Sequence, residues 1–273
     1  MAKRAIFILV FSFIHSVVMS QDLLVFINGY RGPKYDHERP NNQLHLKDPT
    51  GYWYKLDDSI QKRFDNTSSI YFDAHHPITT STHRLLKKAV RSYLFSRFCW
   101  FRKNSRWVLN KKLNEAGFEE RVANGRLAGI ALRNYLLEHD VKKIHFVCHS
   151  MGYAYMLGIM DILGSEATFG KALILSPEAA NTQGRDWSVF EEVWQYGARA
   201  DEKAADPLFL QDGIAPQFAV FGIEQLPPTT KGGRIYIPDS YPKRKLGFIK
   251  SHHLAYYDWF YWIKPEDPGY FKQ

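Results

Sequence analysis

Residues 144–154 read IHFVCHSMGYA, and the fold prediction starts from this stretch. Residues 142–148 read KKIHFVC and are predicted to form a buried strand, whereas residues 151–163 are apolar almost throughout and have the length of a helix. Ser150 therefore lies in a tight turn between a strand and a helix. Such a turn lifts the serine hydroxyl above the end of the sheet, where the N–H groups of the following helix point.

Apolar runs on either side of this stretch predict further strands and a second helix. The strands are expected at residues 22–28, 68–74, 171–176, 217–222 and 234–238. Residues 118–139 carry apolar side chains at the spacing of one helix face. This alternation predicts an α/β fold with a mostly parallel central sheet and helices on both faces. In such a fold the active site lies at the carboxyl ends of the strands.

The turn itself resembles a known catalytic motif. Residues 148–152, Cys-His-Ser-Met-Gly, are similar to the G-x-S-x-G of the α/β-hydrolase family, especially its lipases and esterases. The resemblance spans about residues 22–260 and implies that Ser150 is the nucleophile. Cys148 stands where the motif has its first glycine, which leaves open whether the turn is standard. The alternative is a serine that only caps the helix at Met151.

The family resemblance also implies an oxyanion hole. The first predicted strand ends in the turn Asn28-Gly29-Tyr30. By resemblance, the backbone N–H groups of Tyr30 and Met151 would hold the oxyanion, with Gly29 shaping the turn. Asn28 stands where many family members have histidine, so an ordinary glycine-containing turn is the alternative.

A serine nucleophile needs a base within hydrogen-bond reach. The resemblance implies the chain order serine, acid, histidine, and of the eleven histidines only His252 and His253 follow Ser150. We expect His253 to be the base, because the spacing from His253 to Tyr256 resembles the His-x-x-Tyr of some family members. His252 is the alternative.

The acid of the triad has several candidates. Asp239 follows the predicted strand 234–238 and precedes the histidine pair, so it is the preferred choice. Glu178 follows the predicted strand 171–176, where some family members place the acid, and Glu224 is a further alternative. The acid would fix the imidazole tautomer and stabilise the imidazolium.

These residues predict a secreted serine hydrolase that cleaves a small-molecule or lipid acyl ester through an acyl-enzyme. An amidase or peptidase with the same triad is one alternative, and a catalytically inactive binding protein is another. No cofactor or metal is expected. Asp73, His75 and His76 have side chains that can bind metals, but they are better explained as loop residues at the mouth of the cleft.

The N-terminus has the pattern of a secretory signal peptide over residues 1–20. Lys3 and Arg4 precede an apolar run of about 15 residues, shorter than the roughly 20 of a membrane span. The protein is therefore predicted to be secreted or periplasmic. Residues 21–273 are predicted to form one domain. An uncleaved membrane anchor is the alternative.

A basic insertion separates two of the predicted core elements. The chain has a net charge of +8, and ten of its 36 Lys and Arg residues lie in 74–114, which has no Asp or Glu. Aromatic residues alternate with these charges over 83–112. We expect a cap over about 75–116, or alternatively a lid that contacts an anionic membrane. Nucleic acid is not an expected partner.

The two cysteines, Cys99 and Cys148, exclude a disulfide-dense scaffold and are expected to be free thiols, with a disulfide between them as the alternative.

Overall fold

A computed structural model of the chain describes residues 22–75, 106–177, 180–181, 183–197, 219–242 and 252–270, except positions 36, 39, 40 and 66. The predicted signal peptide, Cys99, Glu178 and residues 76–105 of the predicted cap lie outside the described residues.

The described residues contain seven strands and three α-helices. The strands are β1 (Leu23–Ile27), β2 (Asn41–His45), β3 (Ser68–Asp73), β4 (Ile144–His149), β5 (Phe169–Leu175), β6 (Phe190–Gly197) and β7 (Lys231–Tyr236). The helices are α1 (Leu56–Arg63), α2 (Arg106–His139) and α3 (Gly152–Leu163).

All seven strands form one sheet in the order β2-β3-β1-β4-β5-β6-β7. Within this sheet β2 pairs with β3 in antiparallel orientation, and the other five pairs are parallel. The predicted α/β class with a mostly parallel sheet is therefore confirmed. Because the carboxyl ends of β1, β4 and β5 meet at one edge, the turns that follow these strands lie next to one another.

Side chains of the central strands alternate between two apolar layers. Val25 and Ile27 of β1 face the core that α2 and α3 cover. Leu24 and Phe26 face a second core, covered by α1 and by the 3-10 segment Leu254–Trp262. Each fully buried side chain of this kind contributes about 1.5–3 kcal/mol to folding. The sheet is thus held on both faces.

The helices α2 and α3 approach each other more closely than a side chain would allow. A Cβ atom added to Gly125 of α2 would lie 2.0 Å from the carbonyl oxygen of Tyr155. One added to Gly158 of α3 would lie 2.1 Å from the carbonyl oxygen of Val122. Two glycines therefore let the backbones of these helices pack in contact. This contact fixes α3, and with it the turn that carries Ser150.

Several predicted elements differ from the structure. The strand predicted at 217–222 is wrong for its described part, since residues 219–222 form a loop and a turn before the 3-10 segment Ile223–Gln225. The sequence prediction also missed β2, α1 and β6. The strand β6 contains Glu191 and Glu192, and these charged residues interrupt the apolar pattern from which strands were predicted. These carboxylates pair with Lys143 at 2.5 Å and with Lys171 at 3.0 Å.

Candidate active site

Ser150 lies directly after β4, in a turn with strained backbone geometry. Its φ is 56°, a left-handed conformation that costs a non-glycine residue about 1–2 kcal/mol. Its N–H donates to the carbonyl oxygen of Leu175 at 3.0 Å, and its own carbonyl accepts from the N–H of Tyr153 at 3.2 Å. The turn is held from β5 and from α3, so the strained conformation is maintained by its surroundings.

The surroundings of Gly152 and Cys148 explain why this sequence keeps the second glycine of G-x-S-x-G and has cysteine in place of the first. A Cβ atom added to Gly152 would lie 2.5 Å from the carbonyl oxygens of Ile27 and Asn28, so no side chain fits where α3 begins. Cys148, in contrast, lies inside β4, paired with Ile27 on one side and Ile174 on the other. Its thiol is free and buried, and burial raises its pKa. A glycine is therefore not required at position 148.

His252 contacts the serine hydroxyl. The distance from Nε2 of His252 to Oγ of Ser150 is 3.0 Å, which is hydrogen-bond distance. The two residues are 102 positions apart in the chain, and the hydrogen bond is partly buried. A serine whose hydroxyl meets an imidazole in this way has a base that can take its proton.

The structure brings His252, and not the preferred His253, into contact with the serine hydroxyl, and the identity of the base stays a prediction. Nδ1 of His253 accepts a hydrogen bond from the N–H of Ala255 at 3.2 Å, and its ring packs on Tyr54 with centroids 5.1 Å apart. His253 thus caps the segment Leu254–Trp262. The backbone of His253 is extended, with φ −79° and ψ 126°, where the chain enters that segment.

His149 and Tyr52 form hydrogen bonds beside this pair that the sequence did not suggest. Oη of Tyr52 lies 2.6 Å from Nδ1 of His149, and Nε2 of His149 lies 2.8 Å from the carbonyl oxygen of His252. The rings of His149 and His252 lie 4.7 Å apart. His149 is buried, and burial is the main reason that its pKa lies well below the usual value. Burial therefore favours the neutral form of the His149 imidazole.

The turn after β1 lies against the serine, as the oxyanion-hole prediction requires. A Cβ atom added to Gly29 would lie 2.7 Å from Cβ of Ser150 and 2.7 Å from Oη of Tyr52. The backbone N–H of Gly29 donates to that tyrosine oxygen. Met151 precedes α3, and no side chain caps the N-terminus of this helix. The roles of Tyr30 and Met151 as oxyanion donors stay a prediction.

Asn28 anchors this turn to the neighbouring strand. Its side-chain amide donates to Oδ1 of Asp73 at 2.8 Å, and its side-chain oxygen accepts from the N–H of Ala74 at 2.6 Å. Asp73 also pairs with Arg31 at 3.0 Å. Asn28 therefore ties the end of β1 to the end of β3.

Hydrogen bonds within the loop also account for the sequence Asp73-Ala-His-His. Nδ1 of His75 accepts from the N–H of Arg31 at 3.3 Å, and its Nε2 donates to the carbonyl oxygen of Tyr35 at 3.0 Å. Both ring nitrogens of His75 are thus used within the loop, and His76 lies outside the described residues. Within the described ranges, no group of three or more His, Cys, Asp or Glu side chains could hold a metal ion.

The candidate acids are only partly described. Asp239 lies in the turn after β7, where the N–H of Tyr241 donates to the carbonyl oxygen of Pro238 at 3.0 Å. Glu224 is exposed, with its carboxylate 3.9 Å from Arg234. Glu178 is outside the described residues. The assignment of the acid therefore stays a prediction.

Comparisons with known proteins do not assign the chain to a family: no family model matches it, and neither does any curated protein. None of the helices in the described part of the chain combines the length and apolar composition that a bilayer span requires.

Proposed function

We propose that the protein is a serine hydrolase that cleaves acyl esters, with Ser150 as the nucleophile and His252 as the general base. The observation that carries the proposal is the 3.0 Å contact between Oγ of Ser150 and Nε2 of His252, formed by a serine with φ 56° at the carboxyl end of a parallel strand. Strained serine turns of this kind, with an imidazole in reach, are suited to nucleophilic catalysis.

The proposed reaction has two halves. In the first, Oγ of Ser150 attacks the acyl carbon while its proton passes to Nε2 of His252, and the collapse of the tetrahedral intermediate returns that proton to the leaving alcohol. In the second, water attacks the acyl-enzyme, gives its proton to His252, and the acid product leaves as Ser150 regains its hydrogen.

The proposed oxyanion hole lies between the turn after β1 and the start of α3. As the tetrahedral intermediate forms, the backbone N–H groups of Tyr30 and Met151 would donate to its negative oxygen. One such donor typically contributes about 3–4 kcal/mol to the transition state. The position of Gly29 beside Ser150 supports this arrangement, because the turn then starts within reach of the reacting carbonyl.

A fluorophosphonate probe tests the proposal directly. We expect the full chain to react with the probe at Ser150, as read by mass spectrometry of the modified peptide, and to hydrolyse p-nitrophenyl esters. A series of acyl chains from acetate to palmitate then measures whether short or long esters are preferred. A folded protein that neither reacts with the probe nor hydrolyses any ester would contradict the proposal and favour a binding role.

The acid is tested by two isosteric substitutions. If Asp239 is the acid that accepts from Nδ1 of the base, Asp239→Asn is expected to lower kcat about 10⁴-fold, because that carboxylate keeps the lone pair on Nε2. Glu178→Gln is the matched control and is expected to change kcat by less than about tenfold. The measurement is ester hydrolysis at pH 7 on variants with unchanged melting temperatures. The opposite ranking would assign the acid to Glu178.

A further inference from the structure

We propose that His149 and Tyr52 are positioning residues that hold the general base in place, through a hydrogen-bonded bridge from Tyr52 by way of His149 to the main chain of His252. The proposal rests on the proposed function, since it takes Ser150 and His252 as the reacting pair. The bridge consists of the 2.6 Å contact between Tyr52 and His149 and the 2.8 Å contact between His149 and the carbonyl oxygen of His252.

The chemistry of the partners fixes the direction of each hydrogen bond in the bridge. A main-chain carbonyl only accepts, so Nε2 of His149 carries a proton and donates it to His252. In a neutral imidazole the other nitrogen then has a lone pair, so the hydroxyl of Tyr52 must donate to Nδ1. The tyrosine oxygen in turn accepts from the N–H of Gly29. Each group has one role, and no alternative tautomer of a neutral His149 satisfies both contacts.

The bridge acts on the residue that touches the nucleophile. The carbonyl held by His149 and the imidazole that contacts Ser150 belong to the same residue, His252. The residue that holds the carbonyl, His149, is adjacent to Ser150 in the chain. Two hydrogen bonds therefore join this part of β4 to His252. One links the side chains of Ser150 and His252, and the other links the side chain of the adjacent His149 to the main-chain carbonyl of His252. A misplacement of about 1 Å at such a pair costs about 100-fold in rate.

The bridge also reaches the turn proposed to form the oxyanion hole. Tyr52 contacts Gly29, which lies against Ser150. The nucleophile turn, the base and the oxyanion turn come from three distant parts of the chain, and the hydroxyl of Tyr52 and the imidazole of His149 contact all three. A residue that only filled space at position 149 would not need both ring nitrogens in defined roles.

Two amide substitutions separate positioning from packing. In His149→Gln the side-chain amide N–H can lie near the place of Nε2 and donate to the carbonyl of His252. In His149→Asn the amide lies near the place of Nδ1 and is too short to reach that carbonyl. We expect His149→Asn to react with the fluorophosphonate probe about 100-fold more slowly than wild type and to lower kcat for a short ester similarly, with little change in KM. His149→Gln is expected to recover both rates to within about tenfold of wild type.

Equal rates for His149→Asn and wild type, or equal losses in the Asn and Gln variants, would overturn the proposal. If His149→Asn does not fold, Tyr52→Phe provides the test, because it removes only the hydroxyl that fixes the tautomer. It is expected to lower kcat about tenfold without changing KM, and an unchanged kcat would count against the bridge.

A measurement without substrate distinguishes failure of the bridge from failure of the proposed function. Nitrogen-15 NMR of the wild-type histidine rings is expected to show His149 with its proton on Nε2 and a lone pair on Nδ1. A proton on Nδ1 of the neutral ring would overturn the bridge even in an active enzyme. A wild-type chain that shows the expected tautomer but never reacts with the probe would instead overturn the proposed hydrolase.

Discussion

Replacing Ser150 by alanine is expected to lower kcat for ester hydrolysis about a million-fold and to abolish reaction with the fluorophosphonate probe. The hydroxyl oxygen forms the bond to the acyl carbon, so no other group replaces it. The residual rate would reflect substrate binding and the oxyanion hole alone. Probe reaction followed by mass spectrometry and stopped ester assays measure both effects. Undiminished reaction of Ser150→Ala with the probe would refute Ser150 as the nucleophile.

A glycine at the same position is the matched control. Ser150→Gly also lacks the hydroxyl and is expected to be equally inactive. Because glycine adopts φ 56° without the penalty of a side chain, the Gly variant is expected to be more stable to unfolding than the Ala variant by about 1 kcal/mol. Denaturant unfolding of the two variants measures this difference. A less stable Gly variant would show that the turn is not strained as described.

The second large effect is expected at His252. His252→Asn is expected to lower kcat by about as much as Ser150→Ala, near a million-fold, because an uncatalysed proton loss from the serine hydroxyl is slow. The asparagine side chain is too short to reach Oγ of Ser150, which Nε2 of His252 approaches to 3.0 Å. The rate of probe reaction and kcat for a p-nitrophenyl ester measure the loss.

His253→Asn is the adjacent control for this experiment. Asparagine at position 253 can still accept from the N–H of Ala255, as Nδ1 of His253 does, so the cap of the segment Leu254–Trp262 is kept. We therefore expect kcat within about tenfold of wild type. A large loss in His253→Asn together with a small loss in His252→Asn would reverse the assignment of the base.

Much of the sheet could be predicted from the sequence because its strands are buried on both faces. Residues of β1, β4 and β5 form short, nearly continuous apolar runs, and such runs are the normal signature of buried parallel strands. The strand β6 was missed because its first half carries Glu191 and Glu192. Residues 219–222, the described part of the strand predicted at 217–222, were misassigned because a loop can pack against a core as well as a strand does.

The strand, serine turn and helix around residue 150 were encoded locally, since the turn, the missing side chain at Gly152 and the apolar helix lie within a few residues of one another. The direction in which each histidine of the pair points was not encoded locally. It depends on how the segment Leu254–Trp262 packs against the second core. The partners of His149 had no local signal either, because Tyr52 and His252 lie 97 and 103 positions away from it. Contacts at such separations form only when the folded sheet brings its strand ends to one edge.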